Sequence, residues 1–390
     1  MQATDTTELL LHCARTRISD NEINQIKTLT KKIFNWEYLL LIAGKNRTIP
    51  LVYSNLNKIC PGDIPKDHLR LLSNYSHNVT KNNLLLISEL LRILDLFNSH
   101  KIPVISFKGP LMIQSLYKNP SLRESRDLDF LVHKKDIKEI HKLLILHDYR
   151  MQFNLKSQFE RALLEYHDEL AYEHENGLWI DIHTNIAPKY FFNNASFNKA
   201  LWENLETLQF AGQSIKSISK EFLLLVLCIH GSKHFWNELR FIIDVAELIN
   251  KNNLNWEKII NYTKLYDIKN IVQLGLFLAH DLLKAPLNEN ILEEVRKNTI
   301  IKKLACKVYQ GLFNSTPYKS KFIEEAYFHL NVMGNPVNKV CYVLHLLAPS
   351  FSDWKMILLP KWLSFLYYFI RPIRLSFKFI KKIYEQRNKQ

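Results

Sequence analysis

Cysteine and glycine are both scarce in this 390-residue chain, at five and nine residues. The cysteines stand at 13, 60, 228, 306 and 341, with no C-x-x-C pair among them. That spacing excludes a disulfide framework and a zinc knuckle, and predicts a reducing cytoplasm. With so few glycines beside thirteen prolines there is no low-complexity linker, and no internal repeat is present. The opening, "MQATDTTELLLHCARTRI", lacks a basic n-region and reads as no signal peptide. In the C-terminal stretch the uninterrupted apolar run 362–370 has nine residues, against the roughly 20 that spanning a bilayer needs.

Acidic residues are also in deficit, 38 against 52 Lys and Arg, for a formal net charge of +14. Such a balance suggests polyanionic partners. The excess is uneven. Residues 351–390 hold nine Lys/Arg (355, 361, 371, 374, 378, 381, 382, 387, 389) against Asp353 and Glu385. This basic, aromatic tail is expected to act either as a terminal helix packed on the body or as a peripheral contact with an anionic surface, membrane or RNA, at the inner membrane face. At 47% hydrophobic and 23% charged residues the body is globular, and its length suits more than one domain.

The patterning predicts an α+β fold. Residues 1–99 read as helices, most clearly in "NLLLISELLRILDLFNSH", where apolar residues recur at helical spacing. The character changes at "KIPVISFKG". Pro103 cannot sit inside a helix, and 104–107 is a strand closed by Gly109. "PLMIQSLY" follows as a helix with proline in its first turn. A polar loop leads to a strand at 127–133 and then to a helix. Residues 156–166 look helical. "DELAYEHENGLWIDIHTNI" reads as a hairpin turning at Glu175-Asn176-Gly177, since Asn-Gly is a strong hairpin signal. Helices return from about 220 to 345. The expected organisation is thus a helical region 1–99, a small mixed-sheet α/β core 100–190, a helical region 191–350 and the tail 351–390.

The stretch "SLRESRDLDFLVHKK", 121–135, carries the chemistry. Side chains alternate across a strand, so Asp127 and Asp129 share one face while Leu128, Phe130 and Val132 share the other. Burying one unpaired carboxylate is costly, and two side by side repel. Ion pairs to Arg123 or Arg126 would relieve part of that cost; divalent cations would relieve it more fully. Carboxylates about 7 Å apart at their Cα atoms can reach cations about 3.5–4 Å from each other, the two-metal arrangement of phosphoryl transfer. In "LWIDIHTNI", Trp179, Asp181 and His183 share a face while Ile180 and Ile182 point into the core, so Asp181 is a third candidate; Glu173 is its rival on the facing strand.

These residues resemble a known group. "FKGPLMIQSLYKNPSLRESRDLDFLV" is similar to the lysine–glycine and aspartate–x–aspartate segments of the uncharacterised bacterial nucleotidyltransferase family in the polymerase-beta-like superfamily. "LLLHCARTRI" and "FNWEYLLLIAGKNRTIPLVYSNL" resemble its helical N-terminal part, "LWIDIHTNI" its third-carboxylate strand, "CIHGSKHFWNELRFIIDVAELI" a later helical segment, and "FLYYFIRPIRL" its C-terminal end. The resemblance implies a magnesium-dependent nucleotidyltransferase that moves an NMP group from an NTP to a hydroxyl of a protein, a small molecule or an RNA end. It implies Asp127, Asp129 and Asp181 as metal ligands and catalytic groups for two Mg²⁺ ions, with Mn²⁺ as the alternative. Lys108 and Gly109 stand where better-known members carry a glycine–serine pair that binds the triphosphate, and Arg126 joins them as a phosphate contact.

Other readings compete. His230 and His234, at i and i+4, have a zinc-compatible spacing, but no glutamate lies between them, and packing or substrate contact is the simpler reading. Asp244 either bonds His234 or is a solvated helix residue. Trp36, Trp236 and Phe241 read as core. A non-catalytic nucleotide- or partner-binding module on the same fold is the alternative function. A nucleotide-sugar glycosyltransferase also uses Asp-x-Asp, but it requires alternating strands and helices before the motif, where this chain reads as helix.

Overall fold

Four helices open the chain: α1 (Gln2–Cys13), α2 (Asp20–Thr30), α3 (Trp36–Lys45) and α4 (Ile49–Ile59). The computed structural model describes residues 2–32, 35–152, 164, 168–188, 190–192, 194–314 and 322–347, with positions 363, 366, 368, 370, 371 and 374 beyond them. Local chemistry starts these helices. Ser19 and Glu22 form a reciprocal capping box at α2, and the Asn35 side chain accepts from the Tyr38 amide at α3.

The 34-residue α5 (Lys66–Ser99) then sets the frame. Its buried positions include Leu72, Ser76, Val79, Asn83, Leu86, Leu90, Ile93 and Phe97, a rhythm alternating steps of four and three that keeps one face turned inward. Against the later part of that face lies a five-stranded mixed sheet of β1 (Val104–Ser106), β2 (Asp127–Val132), β3 (Tyr149–Met151), β4 (Glu169–His174) and β5 (Trp179–His183). Its order is β1-β2-β5-β4-β3; β2 and β5 run parallel and the other neighbours antiparallel. Between β1 and β2 lies α6 (Gly109–Met112), continued by a wider turn at Ile113–Tyr117; α7 (Ile137–Leu146) follows β2.

The core packs on one face of this sheet. Leu128, Phe130, Val132, Ile180, Ile182, Leu170 and Tyr172 meet Leu86, Leu90, Ile93 and Phe97 of α5 and Ile137, Ile140 and Leu144 of α7. Each fully buried aliphatic or phenyl side chain contributes about 1.5–3 kcal/mol. The alternation that buries the residues at 128, 130 and 132 sends Asp127 and Asp129 to the opposite face.

The strands expected at 104–107 and 127–133 and the hairpin about Asn176-Gly177 are present. Two features were not anticipated. The three-residue β3 is too short to carry a periodic signal. A second hairpin, β6 (Leu205–Phe210) with β7 (Gln213–Ile218), follows α8 (Asn194–Glu203). It turns on Ala211 and Gly212, both at positive φ (47° and 83°), as a two-residue hairpin loop requires. Ala-Gly is a weaker signal than Asn-Gly, because alanine tolerates that conformation poorly.

The helical remainder comprises α9 (Lys220–Lys233), α10 (Leu239–Lys251), α11 (Trp256–Leu265), α12 (Lys269–Leu283), α13 (Glu289–Lys297), α14 (Thr299–Phe313) and α15 (Phe322–Val332). Trp236 is fully buried, as expected, in a slot floored by two glycines. A Cβ on Gly231 would come within 2.5 Å of its ring, and one on Gly275 within 3.0 Å. Phe241 is buried as well, whereas Trp36 is only half-buried.

Residues 1–334 form one compact unit and 335–390 a second. In the second, α16 (Pro336–Leu347) buries Tyr342 and exposes Val337, Val340, Val343, Leu344 and Leu347. The tail, 351–390, lies outside the described residues except for isolated positions, as does most of the helix expected at 156–166. No helix among the described residues is long and apolar enough to cross a membrane.

Candidate active site

The parallel pairing of β2 and β5 brings the expected acids together. Asp129 stands directly beside Asp181 in register, Asp127 is level with Trp179, and Leu131 with His183. All of these side chains share the sheet face opposite the core. Among the described residues, the single group of three potential ligands gathered around one point is Asp129, Asp181 and His183, whose ligand atoms all lie within 4.8 Å of one another.

The approach to β2 is built by α5. Asn83, in the buried stripe, donates to the carbonyls of Pro120 (2.6 Å) and Arg123 (2.7 Å) and accepts from the Ser125 amide, while Asn82 donates to the Ser125 carbonyl. The polar loop before the aspartates is therefore clamped. Gly109 closes the other side. Its φ is +63°, and a Cβ there would stand 3.1 Å from the Asp127 carbonyl oxygen. Glycine alone allows both the left-handed backbone and this close approach.

The acids are not held by the arginines. Arg123 is buried and forms a two-pronged pair with Asp244 of α10, through Nε (2.7 Å) and Nη2 (2.8 Å), and Tyr117 Oη donates to the same carboxylate at 2.7 Å. This corrects the expectations for Asp244: it is a fully buried anchor rather than a partner of His234 or a solvated residue. Arg126 pairs through Nε with Glu124 Oε1 (2.8 Å), and Tyr75 donates to the other oxygen of Glu124 (2.6 Å). Its side chain is largely exposed.

Lys108 is the cation that reaches the acids. Its Nζ donates to Asp129 Oδ1 at 2.8 Å in a buried pair, and His183 Nε2 contacts the same oxygen at 3.0 Å. Burial works to raise the Asp129 carboxyl, but Lys108 and His183 outweigh it and hold that group well below the usual range. Neither Asp127 nor Asp181 makes a side-chain hydrogen bond or ion pair among the described residues. Burial, and then the neighbouring Asp129 carboxylate, raises Asp127, and the same two causes push Asp181 up to about 7.

Two contributors escaped the sequence reading. Glu169 stands opposite His183 on β4, with Oε2 at 3.9 Å from His183 Nδ1 and 2.8 Å from Lys233 Nζ. Burial would raise Glu169, but His183 and Lys233 dominate and hold it at about 2. Lys233 comes from α9. Nothing in the linear pattern links these residues; only the alternation that puts His183 on the face of Asp181 hinted at the histidine. Glu173, the rival of Asp181, faces Trp179 and is exposed. His230 and His234 pack against each other at 4.6 Å between ring centroids and against Phe241. Burial lowers both, His234 to about 3, so they are neutral side chains of the helical wall.

Asp127, Asp129 and Asp181 thus stand on two adjacent parallel strands beside the turn at Lys108 and Gly109. The chain belongs to the uncharacterised nucleotidyltransferase family, whose model matches residues 32–284, from the end of α2 to the residue that closes α12. No curated protein matches it. Among solved structures, the lincosamide antibiotic adenylyltransferase LnuA with lincomycin bound is similar at 20% identity over 41% of this chain and 94% of that chain, with a TM-score of 0.28.

Proposed function

We propose that this protein transfers an NMP group from an NTP to a hydroxyl acceptor, on a core of residues 100–190 flanked by helical regions 1–99 and 191–350. One observation carries the reading: Asp127 and Asp181 flank Asp129 on one sheet face with no side-chain hydrogen bond or ion pair among the described residues, while Lys108 bonds Asp129. A face holding more acid than it can neutralise is prepared for external cations.

Asp127, Asp129 and Asp181 would hold two Mg²⁺ ions, which supply charge neutralisation at the phosphate oxygens and lower the pKa of the attacking hydroxyl. The acceptor oxygen attacks the α-phosphorus; an O–P bond forms, the bond to the bridging oxygen breaks, and pyrophosphate leaves. Asp181 would either take the hydroxyl proton on its carboxylate or hold the catalytic cation. Lys108 and Arg126 bind the departing phosphates, and Gly109 lets the chain approach them closely. Free NTP and five cysteines with no disulfide among them fit a cytoplasmic setting.

Incubation with each labelled NTP, Mg²⁺ or Mn²⁺, and a cell extract tests the proposal. A labelled product that is absent with Asp129→Asn supports it, and its size and nuclease sensitivity tell protein, small-molecule and RNA acceptors apart. No product with any NTP in any extract would sink it. The basic tail is proposed as a peripheral contact with an anionic membrane, supported by the exposed apolar stripe of α16 just before it. Co-sedimentation of the full chain with anionic vesicles, at low and high salt, decides that point against RNA.

A further inference from the structure

We infer that His183 is a nitrogen ligand of the cation site, and that the site therefore favours Mn²⁺ over Mg²⁺. The inference rests on the proposed cation-dependent reading of these acids and goes on to name the ion. Of the three side chains that converge on one point, two offer carboxylate oxygens and one an imidazole nitrogen. Magnesium demands hard oxygen donors in near-ideal octahedral geometry. An imidazole in the donor set shifts preference toward first-row transition ions, and Mn²⁺ is the one of these that shares magnesium's carboxylate and phosphate chemistry.

The surroundings of His183 are those of a ligand. Its Nε2 faces Asp129 Oδ1 at 3.0 Å, and its Nδ1 faces Glu169 Oε2 at 3.9 Å. With the cation on Nε2, the proton resides on Nδ1, toward the carboxylate. The Glu169 carboxylate then stands on the Nδ1 side of the ring, beyond hydrogen-bond length, and adds negative charge there. Glu169 is itself fixed by Lys233 at 2.8 Å. Phe107 meets the imidazole edge-on, with centroids 5.5 Å apart and planes at 74°, and His183 is buried. A buried ring held at Nε2 and packed on Phe107 costs little entropy on binding. Asp127 is outside the three-ligand group, so the mixed donor set belongs to the position shared by Asp129 and Asp181.

The test uses metal-free, full-length protein without nucleotide, titrated with Mn²⁺ alone and then with Mg²⁺ as competitor, followed by electron paramagnetic resonance. Bound Mn²⁺ should show the pulsed-resonance modulation of a directly coordinated ¹⁴N, and Mg²⁺ should displace it poorly. In His183→Gln the ¹⁴N modulation should vanish. The preference for Mn²⁺ should shrink by at least the roughly tenfold that even an outer partner is worth. Glu169→Gln should keep the modulation and weaken Mn²⁺ binding about 10–100-fold. Bound Mn²⁺ with no ¹⁴N modulation in the wild type overturns the inference. So does a His183→Gln variant with an unchanged Mn²⁺-to-Mg²⁺ ratio, or no Mn²⁺ binding at millimolar concentration, because the ligands stand assembled. None of these measurements involves transfer, so an all-oxygen magnesium enzyme would fail here and still pass the labelled-NTP assay.

Discussion

The two faces of the five-stranded sheet were cut from the same alternating residues and solve opposite problems. On one, Leu128, Phe130, Ile180 and Ile182 are fully buried beneath α5 and α7. On the other, Asp129, Asp181 and His183 converge, Asp127 lies along the same face, and Lys108 bonds Asp129. The first face is finished by the fold. The second is left with two carboxylates that have no hydrogen-bond or ion-pair partner among the described residues and are pushed upward in pKa, an arrangement that costs stability. The contrast teaches that stability and function are separable here by a shift of one residue along a strand. It predicts that neighbouring substitutions should act on different observables.

The largest effect should come from the acid face. Asp127→Asn and Asp129→Asn should each reduce nucleotide transfer to background, because asparagine keeps the shape and removes the charge that cations need. Asp181→Asn should lower turnover by at least about a hundredfold, the low end for loss of a general base, with far less change in NTP binding. Asp127→Asn and Asp181→Asn should leave the fold intact, whereas Asp129→Asn strands the Lys108 amine and should cost about 3 kcal/mol of stability. Near-normal turnover in Asp127→Asn or Asp129→Asn, measured with a labelled NTP, would break the assignment. A normal rate in Asp181→Asn would move the base elsewhere.

The apolar face should answer in the opposite way. Phe130→Ala, at the position next to Asp129 on β2, should destabilise the fold by about 3–5 kcal/mol in denaturant unfolding, since Phe130 is fully buried against Phe97. At temperatures where the variant stays folded, its turnover should remain close to normal. A stable Phe130→Ala, or an unstable Asp127→Asn, would show that the two faces are not separate.

Much of this division was legible in the sequence. Alternation alone put Asp127 with Asp129 and Asp181 with His183, and Asn176-Gly177 marked the hairpin that carries Asp181. The parallel neighbourship of β2 and β5 was not legible from the residues, because strand order depends on how the whole chain packs; without it Asp129 and Asp181 share no contact. Lys108 drew attention as a phosphate contact, yet its amine rests on Asp129. Glu169 and Lys233 come from β4 and α9 and meet His183 only in three dimensions. The Arg123–Asp244 pair joins residues 121 positions apart, and no local pattern announces it. The β6–β7 hairpin passed unnoticed because Ala-Gly is an inferior turn signal.

Lys108 sharpens the comparison between the faces. It is a buried positive charge bonded to the acid face, at 2.8 Å from Asp129. Removing one partner of a buried pair costs about 3 kcal/mol, because the remaining charge is stranded. Lys108→Met should therefore lower unfolding stability by about that amount in the presence of a chelator. Added divalent cation should return most of it, since the cation takes over the neutralising role at Asp129. Stability that a divalent cation fails to restore would mean that Lys108 is a structural counter-charge only.

The weakest lever is pH, and it separates the acid face from the helical wall behind it by sign. Burial holds His234 down at about 3 and His329 at about 4. In the unfolded chain histidine titrates near about 6.5. Between those values the unfolded state binds protons that the folded state refuses, so these two groups contribute stability above about pH 6.5 that is lost as pH falls toward 4. Asp181 works the other way. Its folded value of about 7 lies above the ordinary carboxylate range, so the folded state binds the extra proton, and stability is lost as pH rises toward 7. In chelator, denaturant midpoints between pH 7.5 and 4.5 should thus fall less steeply for His234→Phe than for the wild type. Asp181→Asn should fall more steeply, since it loses the opposing gain. Parallel profiles for all three proteins would mean that neither group is held away from its unfolded value, and the contrast between an apolar wall and an over-acidic face would lose its electrostatic basis.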